Sequence, residues 1–313
     1  MARPHRLRRG ASLDRLSEEE RKSVTHGDFW IPEEARQVYR LALQTLNQAG
    51  TPYVVAGAFA IFEHTGIYRQ TKDLDLFFEP HDLLPAAYAL RDAGFDLRLE
   101  DEDEHWLAKA FRGPIWVDLI YGMGNGVAFI DNVWHSFARP GTLAGTPVMI
   151  APAEELLWHR LFIHERHRHD MSDILHLVLT VGDVLDWDRL LKRVGPHWPL
   201  LLAQLQVFSY AYPGFRSRVP RHIMETLLDR ARDRAGTDDP DEAITNGPLI
   251  SKFSFAIDTQ EWGFVDTRAE RVRRACHSEP VRRIASDPIW TSSQSMPNDE
   301  GRPTKASTPI KSR

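Results

Sequence analysis

Thr71-Lys72-Asp73-Leu74-Asp75-Leu76-Phe77-Phe78 decides how this chain is read. Leu74 and Leu76 alternate with the two aspartates, and residues two apart on a strand share a face. Asp73 and Asp75 therefore project together from a strand over 73–79, while the leucines turn to a core. Side-by-side carboxylates repel unless a cation lies between them, and a hard divalent ion with oxygen ligands suits that gap. Upstream, Tyr53-Val54-Val55-Ala56-Gly57-Ala58 reads as a buried strand ending in a glycine that lets the backbone turn tightly into a helix. Downstream, Ile115-Trp116-Val117-Asp118-Leu119-Ile120-Tyr121 sets a third acid in a strand-forming run. A carboxylate facing a core is costly without a partner. Asp118 therefore either completes a metal site with Asp73 and Asp75 or pairs with an arginine. Three strand acids beside a glycine turn suit metal-assisted phosphoryl or nucleotidyl transfer.

Working outward, 31–49 reads as a helix with Pro32, Glu33 and Glu34 at its start and Gly50 at its end. A helix over 83–93 and a strand over 95–99 follow the acid pair, then an acidic turn over 100–104. Strands over 106–111 and 115–121 join at Gly113-Pro114. Gly122-Met123-Gly124-Asn125-Gly126 has the composition of a phosphate loop, but no Lys-Ser/Thr follows, so it reads as a flexible loop near the site. From Pro152 the pattern becomes helical, over about 152–166, 170–181, 187–194, 199–211 and 220–235. Phe253, Phe255, Trp262 and Phe264 suggest that 236–266 packs back onto the body. The expected organisation is a mobile arm over 1–30, a mixed-sheet domain over 31–150, a helical domain over 151–266, and a disordered basic tail over 267–313.

Composition narrows the function further. Hydrophobic residues make up 42% of the 313, enough for a sizeable core. The single cysteine, Cys276, excludes an internal disulfide and fits a reducing compartment. With no signal peptide and no apolar run long enough for a membrane span, the expectation is a cytoplasmic protein that avoids the membrane. The net charge of −5 is uneven: residues 25–267 hold 22 Lys and Arg against 35 Asp and Glu. Such a body would not hold a long duplex by general electrostatics, though it could hold a tRNA end or a small substrate locally.

The sequence of motifs (apolar-Gly57-Ala58, Asp73-Leu74-Asp75, then Val117-Asp118-Leu119) resembles the nucleotidyltransferase superfamily, whose fold is that of DNA polymerase beta. More narrowly, it is similar to the nucleotidyltransferases of abortive-infection and toxin–antitoxin systems, over roughly residues 35–180. The resemblance implies an α+β fold, a small mixed-sheet nucleotidyltransferase domain with a helical C-terminal domain, and nucleotide held in the cleft between them. It also implies a magnesium- or manganese-dependent transferase that moves an NMP from an NTP such as ATP to a hydroxyl. The acceptor could be a tRNA end, a protein or a small molecule, and an antitoxin partner is possible within such systems. Asp73, Asp75 and Asp118 would hold two Mg²⁺ or Mn²⁺ ions, with Asp118 also serving as base.

The nucleotide contacts implied are Gly57 and Ala58, through backbone N–H groups at the helix start, and Arg69, Thr71 and Lys72, which lead into the acid pair. Arg160, Asp170 and Asp173 complete the set, since Arg160 through Asp173 is similar to the helical-domain signature of the abortive-infection toxins. Arg160 stands where that family has Lys, His169 where it has Arg, and Ala58 where relatives have Ser or Gly. Those departures support the alternative of a non-catalytic nucleotide-binding or regulatory descendant. Asp170 and Asp173 could equally cap a helix. His159, His164, His167, His169 and His176 crowd one stretch, but without metal-ligand spacing they read as polar helix surface.

Overall fold

The computed structural model describes residues 31–67, 71–99, 105–165, 168–238 and 243–290. The arm over 1–30, the acidic turn over 100–104, Arg69 and His167 lie outside the described residues, as does everything beyond Trp290. In chain order the sheet region comprises α1 (Glu33–Ala49), β1 (Val54–Val55), α2 (Gly57–Thr65), β2 (Leu74–Phe77), α3 (Pro80–Asp92) and β3 (Asp96–Leu99). It continues with β4 (Leu107–Arg112), β5 (Ile115–Ile120), α4 (Asn132–Ser136), β6 (Arg139–Leu143) and β7 (Thr146–Ile150). Helices follow: α5 (Ala153–Arg160), α6 (Met171–Val181), α7 (Trp187–Val194), α8 (Trp198–Ala211) and α9 (Arg221–Arg234). The last described part holds β8 (Ile244–Thr245), α10 (Ala256–Gln260), β9 (Val265–Asp266), α11 (Thr267–Cys276) and α12 (Glu279–Ala285).

Seven strands form one mixed sheet in the order β3-β4-β5-β2-β1-β7-β6. β2 lies parallel to β5 and antiparallel to β1, so the acid pair stands near the centre. Leu74, Leu76, Val117 and Leu119 are fully buried, which anchors both strands. Helix α1 packs against β5 and β7 and beside α3. Helix α2 touches both β2 and α6, and so joins the sheet to the helices. The mixed α/β architecture expected from the sequence is the one observed.

Several elements differ from expectation for local reasons. Strand β6 carries Pro140 and Gly141, which hide it from a propensity reading; it is an edge strand, where a proline is tolerated. Helix α5 stops at Arg160 rather than 166, because the chain turns to meet the C-terminal segment: His164 N–H donates to Ile250 O at 3.0 Å. The basic tail expected from 267 begins instead as two helices. Val281, Ile284 and Ile289 are buried and α12 packs on α3, which keeps 267–290 on the body despite its arginines. Among the described residues no helix is long and apolar enough to cross a membrane.

Candidate active site

Asp75 and Asp118 are direct partners in the β2–β5 register, and Asp73 precedes β2 by one residue. Gly57 opens α2 with φ of +56°, a left-handed conformation that L side chains rarely adopt. The space beside it belongs to the site, since a Cβ on Gly57 would overlap the Asp75 carboxylate. The turn is pinned from below as well, with Ala56 N–H donating to Asp75 O at 3.0 Å. The N-terminus of α2, with its exposed N–H groups and positive dipole end, therefore lies against the acids. Thr71 Oγ1 donates to Asp73 Oδ1 at 2.6 Å and fixes that carboxylate before the strand begins.

Asp118 has a basic partner that sequence reasoning missed. Lys109, its cross-strand neighbour on β4, donates through Nζ to Oδ1 at 2.9 Å, and both side chains are largely buried. The two alternatives for Asp118 thus meet in one residue: it lies with the other acids and pairs with a cation, a lysine rather than an arginine. A signal existed. A hairpin closed at Gly113-Pro114 pairs residues symmetrically about the turn, which sets 109 opposite 118.

The electrostatics of the trio match an oxygen-ligand cation site. Burial, then the charges of Asp73 and Asp118, push the Asp75 carboxyl up to about 7, while Arg168 and Arg160 pull it down. A cation among the acids would relieve that repulsion and hold all three ionised. The donors are carboxylate oxygens only, a set that suits Mg²⁺. Among the described residues, the trio whose ligand atoms already lie within 4.8 Å of one another is Glu79, His81 and Asp82, at the start of α3. Only His81 of that group is exposed, and none of the three lines the cleft.

A cleft of about 590 Å³ opens over the acids, a size within the usual range of small-ligand sites. Gly57, Ala58, Thr71, Asp73, Asp75 and Asp118 line one end. Arg160, Asp170 and Asp173 line it from the helical side, so nine of the residues singled out in the sequence converge there. Lys72 is exposed and does not line it. Arg160 is 5% exposed and committed: its Nε lies 3.1 Å from Asp173 Oδ2 and 3.8 Å from Asp170 Oδ2. Arg168 Nη2 adds a second pair with Asp170 at 3.6 Å. Asp170 makes no side-chain capping bond to α6, so ion pairing, not capping, occupies these acids. His159 is no surface histidine. It packs edge-on against Phe77, ring centroids 5.5 Å apart, and burial, reinforced by Arg160 and Arg168, pushes it down to about 3.

The remaining wall comes from far along the chain. Pro248, Leu249, Ile250, Lys252, Phe253 and Arg268 line it, together with the Gly124-Asn125 turn. That turn is fixed rather than flexible. Asn125 Nδ2 donates to Leu249 O at 2.9 Å, Arg268 Nη2 donates to Gly124 O at 2.8 Å, and Gly126 N–H donates to Met123 O at 2.8 Å. Gly126, with φ of +69°, abuts α11 so closely that a Cβ would sit 2.7 Å from the Arg271 carbonyl carbon.

Comparison with known proteins now names the architecture. Residues 62–209, just under half the chain, match the family described as Uncharacterised nucleotidyltransferase. This segment is of the nucleotidyltransferase superfamily. The superfamily expected from the three acids is thus the one matched, and the enzyme class with it. The match begins after the Gly57 turn and ends before the C-terminal wall. No curated protein matches the chain. Among solved structures, the antibiotic-resistance factor ANT(2'')-Ia aligns at 16% identity and a TM-score of 0.33, over 64% of this chain and 92% of that one. The lincosamide antibiotic adenylyltransferase LnuA, bound to lincomycin, aligns at 16% and 0.32, over 47% and 96%. JHP933 from Helicobacter pylori aligns at 15% and 0.32, over 64% and 97%. Superpositions this loose carry no argument about acceptor or chemistry.

Proposed function

We propose that this nucleotidyltransferase moves an NMP from an NTP to an acceptor hydroxyl, with Mg²⁺ or Mn²⁺ held by Asp73, Asp75 and Asp118. The observation that carries the reading is register: Asp75 and Asp118 are neighbours on parallel strands at one end of a nucleotide-sized cleft, with Asp73 beside them. Two divalent ions bound there would neutralise the triphosphate and lower the acidity barrier of the attacking hydroxyl. The chain's own residues orient the reactants. The start of α2, at Gly57 and Ala58, offers N–H groups to phosphate oxygens. Thr71 holds Asp73, and Lys109 holds Asp118, so neither carboxylate is free to swing. Asp118 accepts the proton of the acceptor hydroxyl. The hydroxyl oxygen attacks the α-phosphorus, the bond to the β,γ-pyrophosphate breaks, and the NMP remains on the acceptor.

The acceptor class is the open variable of this reading: a tRNA end, a protein side chain or a small molecule. Incubation with each α-³²P-labelled NTP, Mg²⁺ or Mn²⁺ and a total bacterial extract, followed by separation into RNA, protein and small molecules, identifies it. Label should enter one fraction and disappear in the Asp73→Ala/Asp75→Ala double variant. Label entering no fraction from an extract containing all three acceptor classes would contradict the reading. A toxin-like role in the cytoplasm, with an antitoxin partner, rests on the resemblance around Asp170 and Asp173. Induced expression that arrests growth only while those acids and Asp75 are intact would support it. The commitment of Arg160 to Asp170 and Asp173 favours a second reading, a non-catalytic nucleotide-binding descendant. Tight NTP binding with no product from any acceptor would favour that one.

A further inference from the structure

Divalent ions on the acids and the N–H groups of α2 would meet part of a triphosphate's charge, and cationic side chains would meet the rest. Among the described residues, the basic side chains lining the cleft are Arg160, Arg168, Lys252 and Arg268. Arg160 is buried between Asp170 and Asp173, and Arg168 is paired with Asp170. Lys109 lies behind the acids, engaged with Asp118. Two cations remain. Lys252 is exposed and has no ion pair among the described residues. Arg268 spends one Nη2 on Gly124 O, and a guanidinium has five N–H donors in all. Both come from the C-terminal segment, outside the 62–209 match.

That segment is built to keep its place. Leu249 O accepts from Asn125, Ile250 O accepts from the His164 N–H, and Ser251 Oγ donates to Glu165 Oε2 at 2.7 Å. These bonds tie the residues before Lys252 both to the turn after β5 and to the chain after α5. Arg268 is held from its own side, where the Asp266 carboxylate caps α11 by accepting from the Arg268 and Ala269 N–H groups.

We propose that Lys252 and Arg268, which line the same cleft as the acids, bind the triphosphate of the donor nucleotide. The proposal deepens the nucleotidyl-transfer reading above and rests on it. The C-terminal segment is then part of the nucleotide site, and donor affinity depends on residues that the matched family segment does not contain.

Equilibrium binding without acceptor tests this on the full chain. The probes are ATP, GTP, CTP and UTP, each with Mg²⁺, and the corresponding NMPs. Wild type should bind at least one NTP more tightly than its NMP. Lys252→Ala should weaken that NTP by about tenfold, the worth of one charge-assisted contact, and leave NMP binding unchanged. Lys252→Arg should restore it. Arg268→Gln should act in the same direction, and its melting temperature separates a lost contact from a loosened wall. NTP affinity unchanged in both Lys252→Ala and Arg268→Gln would overturn the proposal while leaving nucleotidyl transfer standing. If wild type binds none of the four NTPs, the nucleotidyl-transfer reading falls and this proposal falls with it.

Discussion

The two ends of the cleft are built by opposite strategies. The acid end stands on regular structure: adjacent parallel strands, an alternating pattern and one glycine turn, all within residues 57–118. The cationic end stands on the irregular chain around Lys252 and on the first turn of α11, held by side-chain-to-backbone bonds between residues 124 and 144 positions apart. Strands hold the carboxylates closely, with Gly57 so near Asp75 that a Cβ there would overlap its carboxylate. Under the proposal above, a tethered loop and one helix start would place charge for a polyphosphate. The family match contains the three acids but neither the Gly57 turn nor the C-terminal wall of the cleft.

Perturbing the acid end should have the largest effects. Asp75→Asn should lower transfer by on the order of 10³-fold at saturating Mg²⁺, measured as initial rate, because it removes charge from the centre of the site. Gly57→Ala comes next. The new methyl must displace the Asp75 carboxylate and the backbone is left strained, so transfer should fall on the order of 10²-fold even if the protein still folds. Lys109→Met sharpens the comparison, since it removes the cation paired with Asp118. Transfer should fall by about tenfold as Asp118 loses its anchor. The Mg²⁺ concentration for half-maximal rate should fall too, because the uncompensated acids attract the ion more strongly. Tighter Mg²⁺ dependence with lower turnover separates this role from simple unfolding.

The last expected effect concerns stability rather than transfer. His64 is held down to about 4 and His159 to about 3, chiefly by burial. Both folded values lie below the unfolded one, so between it and them the unfolded chain binds protons that the native protein does not. Stability is therefore complete above about pH 6.5 and is lost as pH falls, by about 1–2 kcal/mol per histidine between pH 7 and 5. Asp75, held up to about 7, changes stability in the opposite sense over the same range, so the difference between the wild-type and His159→Leu melting curves isolates the histidine: the wild type should lose more stability than the variant between pH 7 and 5. A slope unchanged in that variant would mean that His159 is protonated in the native protein.

Legibility followed the same division. Asp73, Asp75 and Asp118 could be found because alternation on a strand is a local signal, and β2 and β5 lie where the pattern puts them. Lys109 was within reach through hairpin symmetry about Gly113-Pro114. The seat of His159 against Phe77 was not, because it depends on how α5 meets the sheet. Nor could periodicity show that Gly126 presses on α11 or that Asn125 holds Leu249, since neither contact leaves a mark in the intervening sequence. The arginine-rich stretch from 267 looked like a solvated tail because its anchors, Val281, Ile284 and Ile289, are few and widely spaced.

The central claim concerns which phosphorus is attacked, and the position of the label reports it directly. The same NTP is supplied with ³²P at the α or at the γ position, with Mg²⁺ and the acceptor fraction that takes up label. The account predicts that α-label enters the acceptor while γ-label leaves as pyrophosphate, both abolished by Asp75→Asn. γ-label on the acceptor, or its release as free phosphate with none of the α-label transferred, would contradict it.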